Sequence, residues 1–233
     1  MDRLLPALVL AVGLIAAAAI LGQGLQQFRM SDRSIVIKGL AEQTVDSDFA
    51  TWDLNVRRAG DSFASVQQAL ATDRDRVVAF LRERGFSDDE LEIRPLVVID
   101  AYSREYASAN SPTRYSGSGL VVVKSGRVDA VQTAALATDP LIAVGVQLDV
   151  GTGPQYELRA LNAAKGPLLQ AAVNNAKTQA ASFAEQAGAD LGALKSANQG
   201  VIQISGVGGN RYDSGTSREK RLRVVSTFTY YLR

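Results

Sequence analysis

The stretch "REKRLRVVSTFTYYLR", residues 218–233, closes the chain and decides its fold. Apolar and polar residues alternate along it, which predicts a β-strand with one buried face and a neighbouring strand on each side. The apolar face carries Leu222, Val224, Phe228, Tyr230 and Leu232, and the opposite face carries Arg221, Arg223, Thr227, Thr229 and Tyr231. Because the chain ends on this strand, we expect removal of its last six residues to unfold the protein.

Composition excludes several classes of protein. The 233 residues include 25 basic and 24 acidic side chains, with no Cys and no His. Disulfides, thiol nucleophiles and Cys-based metal sites are therefore excluded, as is the commonest general base near neutral pH. The basic residues form no stripe, so no nucleic-acid partner is predicted. The sequence predicts neither a cofactor nor a metal.

An uncharged run, "LLPALVLAVGLIAAAAILG", occupies residues 4–22. As a helix it would rise about 28 Å, close to the roughly 30 Å hydrocarbon core of a bilayer. Two interpretations stay open: an uncleaved anchor within residues 1–30, or a signal peptide cut after the small residues 16–19. The length of the run favours the anchor, with the lipid bilayer as its partner. Basic residues on both sides leave its orientation undecided by charge.

Strands and helices alternate beyond this segment. Strand patterns cover residues 34–39, 46–58, 91–102, 114–125, 144–151, 155–161 and 197–206, and helix patterns cover residues 61–85, 127–139 and 166–188. Gly39 is expected to end the first strand, which should pair with the second in a hairpin. This order predicts an α+β fold with largely antiparallel sheets, repeated β-β-α units and helices on one face.

The first helix pattern, residues 61–85, begins at Asp61 or Ser62 and stops at Gly85. Its apolar stripe consists of Phe63, Val66, Leu70, Val77 and Leu81. The strand at 46–58 likewise buries one face, made of Ala50, Trp52, Leu54 and Val56.

The helix pattern at 166–188 places Pro167 in the first turn and Gly188 just past the end. Small residues recur every four positions on one face of this helix, at Ala172, Ala176, Ala180 and Ala184. Such a face permits close approach of another surface. We favour packing onto the domain's own sheet over a seam between subunits.

Three segments together resemble the SIMPL-domain family of bacterial envelope proteins. They are "IVIKGLAEQTVDSDFATWDLNV" (35–56), the Ala-rich helix with "AGADLG" inside residues 161–205, and "LRVVSTFTYYL" (222–232). The resemblance covers residues 34–233 and implies an exported α+β domain that self-associates in some members. It also implies a cytoplasmic N-terminus, a single pass through the bacterial inner membrane and a C-terminal domain in the periplasm. It carries over no catalytic residue.

Short motifs suggest chemistry only weakly. "SREK" (217–220) matches the S-x-x-K pattern, but its Ser ends a loop before a strand instead of opening a helix. "GVGGN" (206–210) lacks the spacing of phosphate-binding loops and reads as a hairpin tip. Asp46 and Asp48 share a strand face that Asp53 does not, and two carboxylates make a poor calcium site.

Four tyrosines form the one candidate interaction surface. Tyr102, Tyr106, Tyr115 and Tyr212 lie in or beside the polar loops 103–113 and 206–217. Tyr is common at interfaces because it buries a large area while keeping a polar tip.

Two functional hypotheses follow. The preferred one is a non-enzymatic, membrane-anchored periplasmic scaffold, related to envelope protection or stress, that forms homo-oligomers; its protein partner is unknown. The alternative is a small-ligand-binding protein or hydrolase that uses loops 103–113 and 206–217. The scaffold predicts a discrete oligomer, whereas the enzyme predicts a concave pocket with an ionisable group of shifted pKa.

Overall fold

The computed structural model describes residues 33–103, 112–149, 153–208 and 215–233, with Gly13, Ile15, Ala17, Ala18 and Ile20 in addition. In the described part, the strands are β1 (Ser34–Asp46), β2 (Phe49–Gly60), β3 (Leu91–Ile93), β4 (Val97–Asp100), β5 (Tyr115–Ser125), β6 (Gln155–Glu157), β7 (Leu191–Asn198), β8 (Gln203–Gly206) and β9 (Glu219–Leu232). The helices are α1 (Phe63–Glu83), α2 (Val128–Ala135), α3 (Asp139–Ala143) and α4 (Leu161–Gln186), with short 3₁₀ turns at Asp88–Glu90 and Ala101–Ser103. Mixed helices and antiparallel sheets confirm the α+β class.

The chain divides into two compact units, each built from separate segments. One consists of residues 33–43, Lys165–Gln203 and Arg223–Arg233, and the other of Thr44–Ala164 and Ile204–Leu222. The predicted anchor at residues 4–22 lies largely outside the described residues. Of the helices that are described, none has the length and apolarity needed to span a bilayer.

The Thr44–Ala164 unit is a five-stranded sheet covered by α1. Its strand order is β3-β5-β2-β6, and β4 also pairs with β5. The predicted inner face of β2 is confirmed, since Ala50, Trp52, Leu54 and Val56 are all buried against the core.

Helix α1 begins after Ser62, whose side chain accepts a hydrogen bond from the Ser65 amide, and its terminal turn is followed by Gly85 at φ +84°. Both ends are as predicted. Four residues of the predicted stripe are buried, but Phe63 at the first position is half-exposed.

Two strand predictions in this unit are wrong in part. Within the described residues 144–149 the predicted strand does not form: α3 ends at Ala143, Gly145 turns the chain at φ +81°, and Leu148 makes a single bridge to Val56. The stretch 91–102 divides into β3 and β4, because Pro95 between them has no N–H to donate to a sheet.

The other unit is a sheet centred on β9, as the alternation predicts. Its order is β1-β9-β7, and β8 also pairs with β9. Helix α4 covers one face: Ala176 and Ala180 pack with Phe228 and Tyr230 of β9. The four ladder alanines are all buried, which confirms packing onto the domain's own sheet.

The predicted hairpin of the first two strands is wrong, because β1 and β2 belong to different sheets. Gly39 does not end β1, which continues to Asp46. A Cβ at Gly39 would lie 2.1 Å from the Ala172 carbonyl oxygen. The glycine therefore serves the close approach of α4 to β1 within this unit.

Two further boundaries differ from prediction. Helix α4 begins at Leu161, so Pro167 lies inside the helix and not in its first turn. The single strand expected at 197–206 is two strands separated at Gly200, where a Cβ would lie 1.9 Å from the Val225 carbonyl oxygen.

Candidate functional site

The two described tyrosines of the predicted interaction surface differ in exposure. Tyr115 starts β5 and is half-buried; its ring meets Phe63 edge-on at 5.9 Å, and the Arg114 guanidinium lies 5.1 Å from the ring centre. Tyr102 lies in the turn Ala101–Ser103 and is 53% exposed. Of these two, only Tyr102 offers a free aromatic face.

Tyr106 and Tyr212 lie outside the described residues, as does most of the loops 103–113 and 206–217. The four-tyrosine surface therefore stays a prediction. The same holds for the ligand-binding or hydrolytic alternative, which depends on those loops.

The acidic residues of the second strand region are not brought together. Asp48 accepts hydrogen bonds from the backbone amides of Arg159 (2.7 Å) and Ala160 (2.6 Å), where the chain enters α4. Asp46 lies 3.7 Å from Arg218. Within the described ranges, no three potential ligands from His, Cys, Asp and Glu form a metal-binding group.

Ser217 of the "SREK" motif is engaged with backbone groups. Its hydroxyl donates to the Glu219 carbonyl oxygen at 2.8 Å and accepts from the Val207 amide at 3.2 Å. It precedes β9 and does not open a helix, which agrees with the interpretation of a chance match.

Sequence patterns missed a carboxylate held at the start of β3. Glu90 accepts hydrogen bonds from the Ser87 amide and hydroxyl, from the Ser125 hydroxyl and from the Arg127 guanidinium. The Arg127 hydrogen bond, opposed by desolvation and assisted by the two serines, lowers the pKa of Glu90 to about 2. Such a weak base is a structural anion near neutral pH and a poor general base.

A second buried ion pair was also missed. Asp73 on α1 is 1% exposed and forms a two-pronged pair with Arg58 of β2, with Nε–Oδ2 and Nη2–Oδ1 distances of 2.5 and 3.0 Å. The hydrogen bonds that Arg58 donates to the Asp73 carboxylate raise the pKa of Arg58. Arg58 also donates to the Gly145 carbonyl, so the pair joins α1, β2 and the turn after α3.

The uncovered face of the five-stranded sheet carries a shallow pocket of about 430 Å³. Asp53, Asn55, Arg94 and Asp149 surround its apolar floor at Leu120. Asn55 donates to Asp149 at 3.3 Å, and Arg94 pairs with a neighbouring glutamate at 2.9 Å. Arg94 is paired with Glu92 and Asp149 with Arg57, both outside the lining, so the pocket presents neither of these two charges free to a ligand.

The outward surface of α4 carries few charged side chains. We call its exposed residues between Gln170 and Gln186 the α4 outer face. The 26-residue helix has three charged residues, Lys165, Lys177 and Glu185. The chain as a whole is 21% charged, which would predict about five. Phe183 is 57% exposed on this surface.

Amide and hydroxyl side chains on the α4 outer face bond to one another at four-residue spacing. Gln170 donates to Asn174 at 3.1 Å, Gln179 to Asn175 at 2.9 Å, and Gln186 to Ser182 at 3.3 Å. These contacts fix side chains that would otherwise lose rotamer freedom on association. Charge depletion with an exposed aromatic residue is typical of interface cores.

Comparison with known proteins identifies one family. The family model described as SIMPL, protein of unknown function (DUF541), matches residues 35–224. No curated protein matches the chain. The matched range includes the β1 start, α4 and the first part of β9, the segments on which the sequence resemblance was based.

Proposed function

This chain belongs to the SIMPL family, and on that premise we propose that it is a non-enzymatic scaffold that self-associates through the α4 outer face. We further propose that residues 4–22 anchor it in the bacterial inner membrane, with the folded part in the periplasm. Envelope protection or stress response is the role we assign to such an assembly.

The charge-poor α4 outer face carries this proposal. A solvated helix normally places Lys, Glu and Arg on its outer side, whereas the 12 exposed residues of the α4 outer face include two charges, Lys177 and Glu185. Covering this surface in an oligomer would desolvate few ions, which keeps the cost of association low. Each of these features favours association over permanent exposure to water.

The test introduces one charge into the α4 outer face. Ala181 is exposed, and Glu is a good helix former, so Ala181→Glu should leave the fold intact. Burying that carboxylate in an interface should weaken association about tenfold or more. Light scattering of the full-length chain in detergent, over a concentration series, measures the oligomer.

The matched control is Ala79→Glu, which places the same charge on an exposed position of α1. It should leave the oligomer unchanged. A full-length chain that is monomeric throughout the series, or that responds equally to both variants, would refute self-association through α4.

A further inference from the structure

Strand β1 is an edge strand whose outer hydrogen-bonding groups can be assigned. In its sheet β1 pairs with β9, and among the described strands none pairs on its other side. The Leu232 amide donates to the Arg33 carbonyl at 2.9 Å, and Glu42 meets Arg223 nine residues further along each strand. In an antiparallel strand, the backbone N–H and C=O groups of successive residues point alternately to the two sides of the strand. Since those of Arg33 point toward β9, those of Ser34, Val36 and Lys38 point toward the free edge.

One side chain of α4 confirms this assignment and limits the free length. The Leu40 amide points to the same side of β1 as the amides of Val36 and Lys38, and it donates to the Asn175 side-chain oxygen at 3.1 Å. Asn175 thus occupies the place that a carbonyl of an added strand would take. The edge from Ser34 to Lys38 has no such cover from α4.

A groove lies between this free edge and α4. It has a volume of about 410 Å³ and is lined by Ile37 and by Thr178, Gln179, Ser182, Phe183 and Gln186. The exposed Phe183 ring and Ile37 make it apolar, and the remaining lining groups are uncharged. Because side chains of an added strand would alternate between the two sheet faces, every second one would enter this groove.

Lys38 lies on the opposite face of the sheet at this edge. Lys38 points away from α4, since Ile37 before it faces the groove. No carboxylate contacts Lys38 within the described ranges, whereas the nearby Arg223 is paired with Glu42. A carboxylate on an added strand opposite Lys38 would form a cross-strand ion pair.

We propose that this groove binds an extended peptide segment of a partner protein as an additional antiparallel strand. The segment pairs with residues 34–38, places an acidic side chain opposite Lys38 and then an apolar side chain opposite Ile37. The backbone of the free edge recognises the extended chain, and the groove and Lys38 select the acidic–apolar sequence. This goes beyond the scaffold proposal because it states what the scaffold holds.

A second copy of β1 does not fit the same requirement. Its acidic residues, Glu42 and Asp46, are followed by Gln43 and Ser47, which are polar. Pairing of two β1 strands would therefore leave either the groove or Lys38 unmatched. Charge complementarity thus favours a peptide of another protein.

The probe is the fluorescein-labelled peptide Ac-Thr-Glu-Leu-Thr-Val-Thr-amide, titrated with the full-length chain in detergent by fluorescence anisotropy. The control peptide exchanges Glu and Leu, which directs the carboxylate into the apolar groove. We expect the control to bind about tenfold more weakly. Hydrogen exchange should slow at the Val36 and Lys38 amides and not at Ile37, whose amide already faces β9.

Two exposed residues separate the contributions. Phe183→Gln should weaken binding about fivefold, whereas Leu136→Gln, at an 81% exposed leucine in the other unit, should not. Lys38→Glu should weaken binding of the probe peptide about threefold. It should strengthen binding of a peptide with Lys in place of Glu by a similar factor. That charge exchange cannot arise from a general loss of folding.

Equal affinity for both peptides, or binding that is indifferent to Phe183→Gln and Lys38→Glu, would overturn the proposal. So would a shift of the oligomer to monomer in Phe183→Gln without any peptide binding, which would assign the groove to a second copy. Ala181→Glu should still bind the peptide, so failure of the scaffold proposal is distinguishable from failure of this one.

Discussion

Glu90 shows how one carboxylate can organise a junction in the fold. Its two oxygens accept from Ser87, Ser125 and Arg127, and the Arg127 guanidinium also donates to the Gly85 carbonyl after α1. The side chain is 15% exposed, so these charge-assisted hydrogen bonds are little screened by solvent. The residue therefore ties the end of α1 to the starts of β3 and α2.

We predict that Glu90→Gln removes a pH-dependent part of the stability. The folded pKa of about 2 lies below the ordinary value of 4.5, so the contribution is complete above about pH 4.5 and is lost as the pH falls toward 2. The free energy of unfolding of the variant should be about 1–3 kcal/mol lower than that of the unchanged protein at pH 7 and nearly equal to it near pH 2. Urea unfolding at several pH values measures the difference.

Glu83→Gln is the control for this measurement, because it removes the same charge from an exposed position on α1. Its effect should stay within about 0.5 kcal/mol at every pH. A Glu90→Gln difference that is constant from pH 7 to pH 3 would show that the carboxylate charge contributes nothing.

Gly39 shows that the identity of a single residue does not decide where a strand ends. A glycine after an alternating run is a common strand end, and the sequence alone offers no reason to extend β1 through it. The reason is a tertiary one, the approach of the Ala172 carbonyl to the space where a Cβ would lie. The same applies to Glu90 and Asp73, whose partners are distant in the chain.

Among the elements, those with strong internal periodicity were predictable. β9, β2 and α1 each carry a pattern that fixes both type and buried face, and the two ends of α1 agree with prediction. The partner of a strand is a different matter. β1 and β2 are adjacent in sequence and were expected to pair, yet β1 pairs with β9 and β2 with β5. Alternation specifies a face and not a neighbour.

In the candidate site too, features that depend on periodicity were predictable and features that depend on neighbouring elements were not. The ladder of buried alanines on α4 was visible at four-residue spacing, and its packing partner was predicted. The α4 outer face and the β1 edge were not predicted. Charge depletion on one side of a helix is informative only once the buried side is known. The free edge likewise depends on strand order.

We predict that a chain ending at Ser226 cannot fold its β9-centred sheet. The truncation removes Phe228 and Tyr230, which are buried under α4, and the ladder from Asn198↔Thr227 to Leu191↔Leu232. Losing one buried aromatic side chain typically costs about 3–5 kcal/mol, so losing two approaches the whole stability of a domain. We expect rapid proteolysis and lost α4 protection in hydrogen exchange.

A chain ending at Leu232 is the matched control, since it keeps all of β9. It should remain folded, with fraying confined to the backbone contact between Arg233 and Asp190. Cooperative unfolding of the Ser226 chain at the same urea concentration as the control would contradict the assigned role of the terminal strand.

The two proposals use neighbouring parts of one unit. Self-association uses the α4 outer face around Ala181, and peptide capture uses its flank at Ser182 and Phe183 beside β1. Both surfaces belong to the unit whose first described segment is residues 33–43. A scaffold tethered there would present its binding groove at a height set by residues 23–33, which span at most about 35–40 Å when extended.

The proposed anchor is directly testable by cysteine labelling, because the chain has no native Cys. Single cysteines are introduced at Asp2 and at Val201, which is 85% exposed in the folded part. In intact bacterial cells whose outer membrane is permeabilised, a membrane-impermeant maleimide should label Val201→Cys and not Asp2→Cys. The chain should sediment with membranes at its full mass of 24.8 kDa. A shorter, soluble chain that begins after residues 16–19 would establish cleavage and replace the tether with a secreted scaffold. Labelling of Asp2→Cys alone would instead reverse the orientation, because impermeant reagents report only the side of the membrane they can reach.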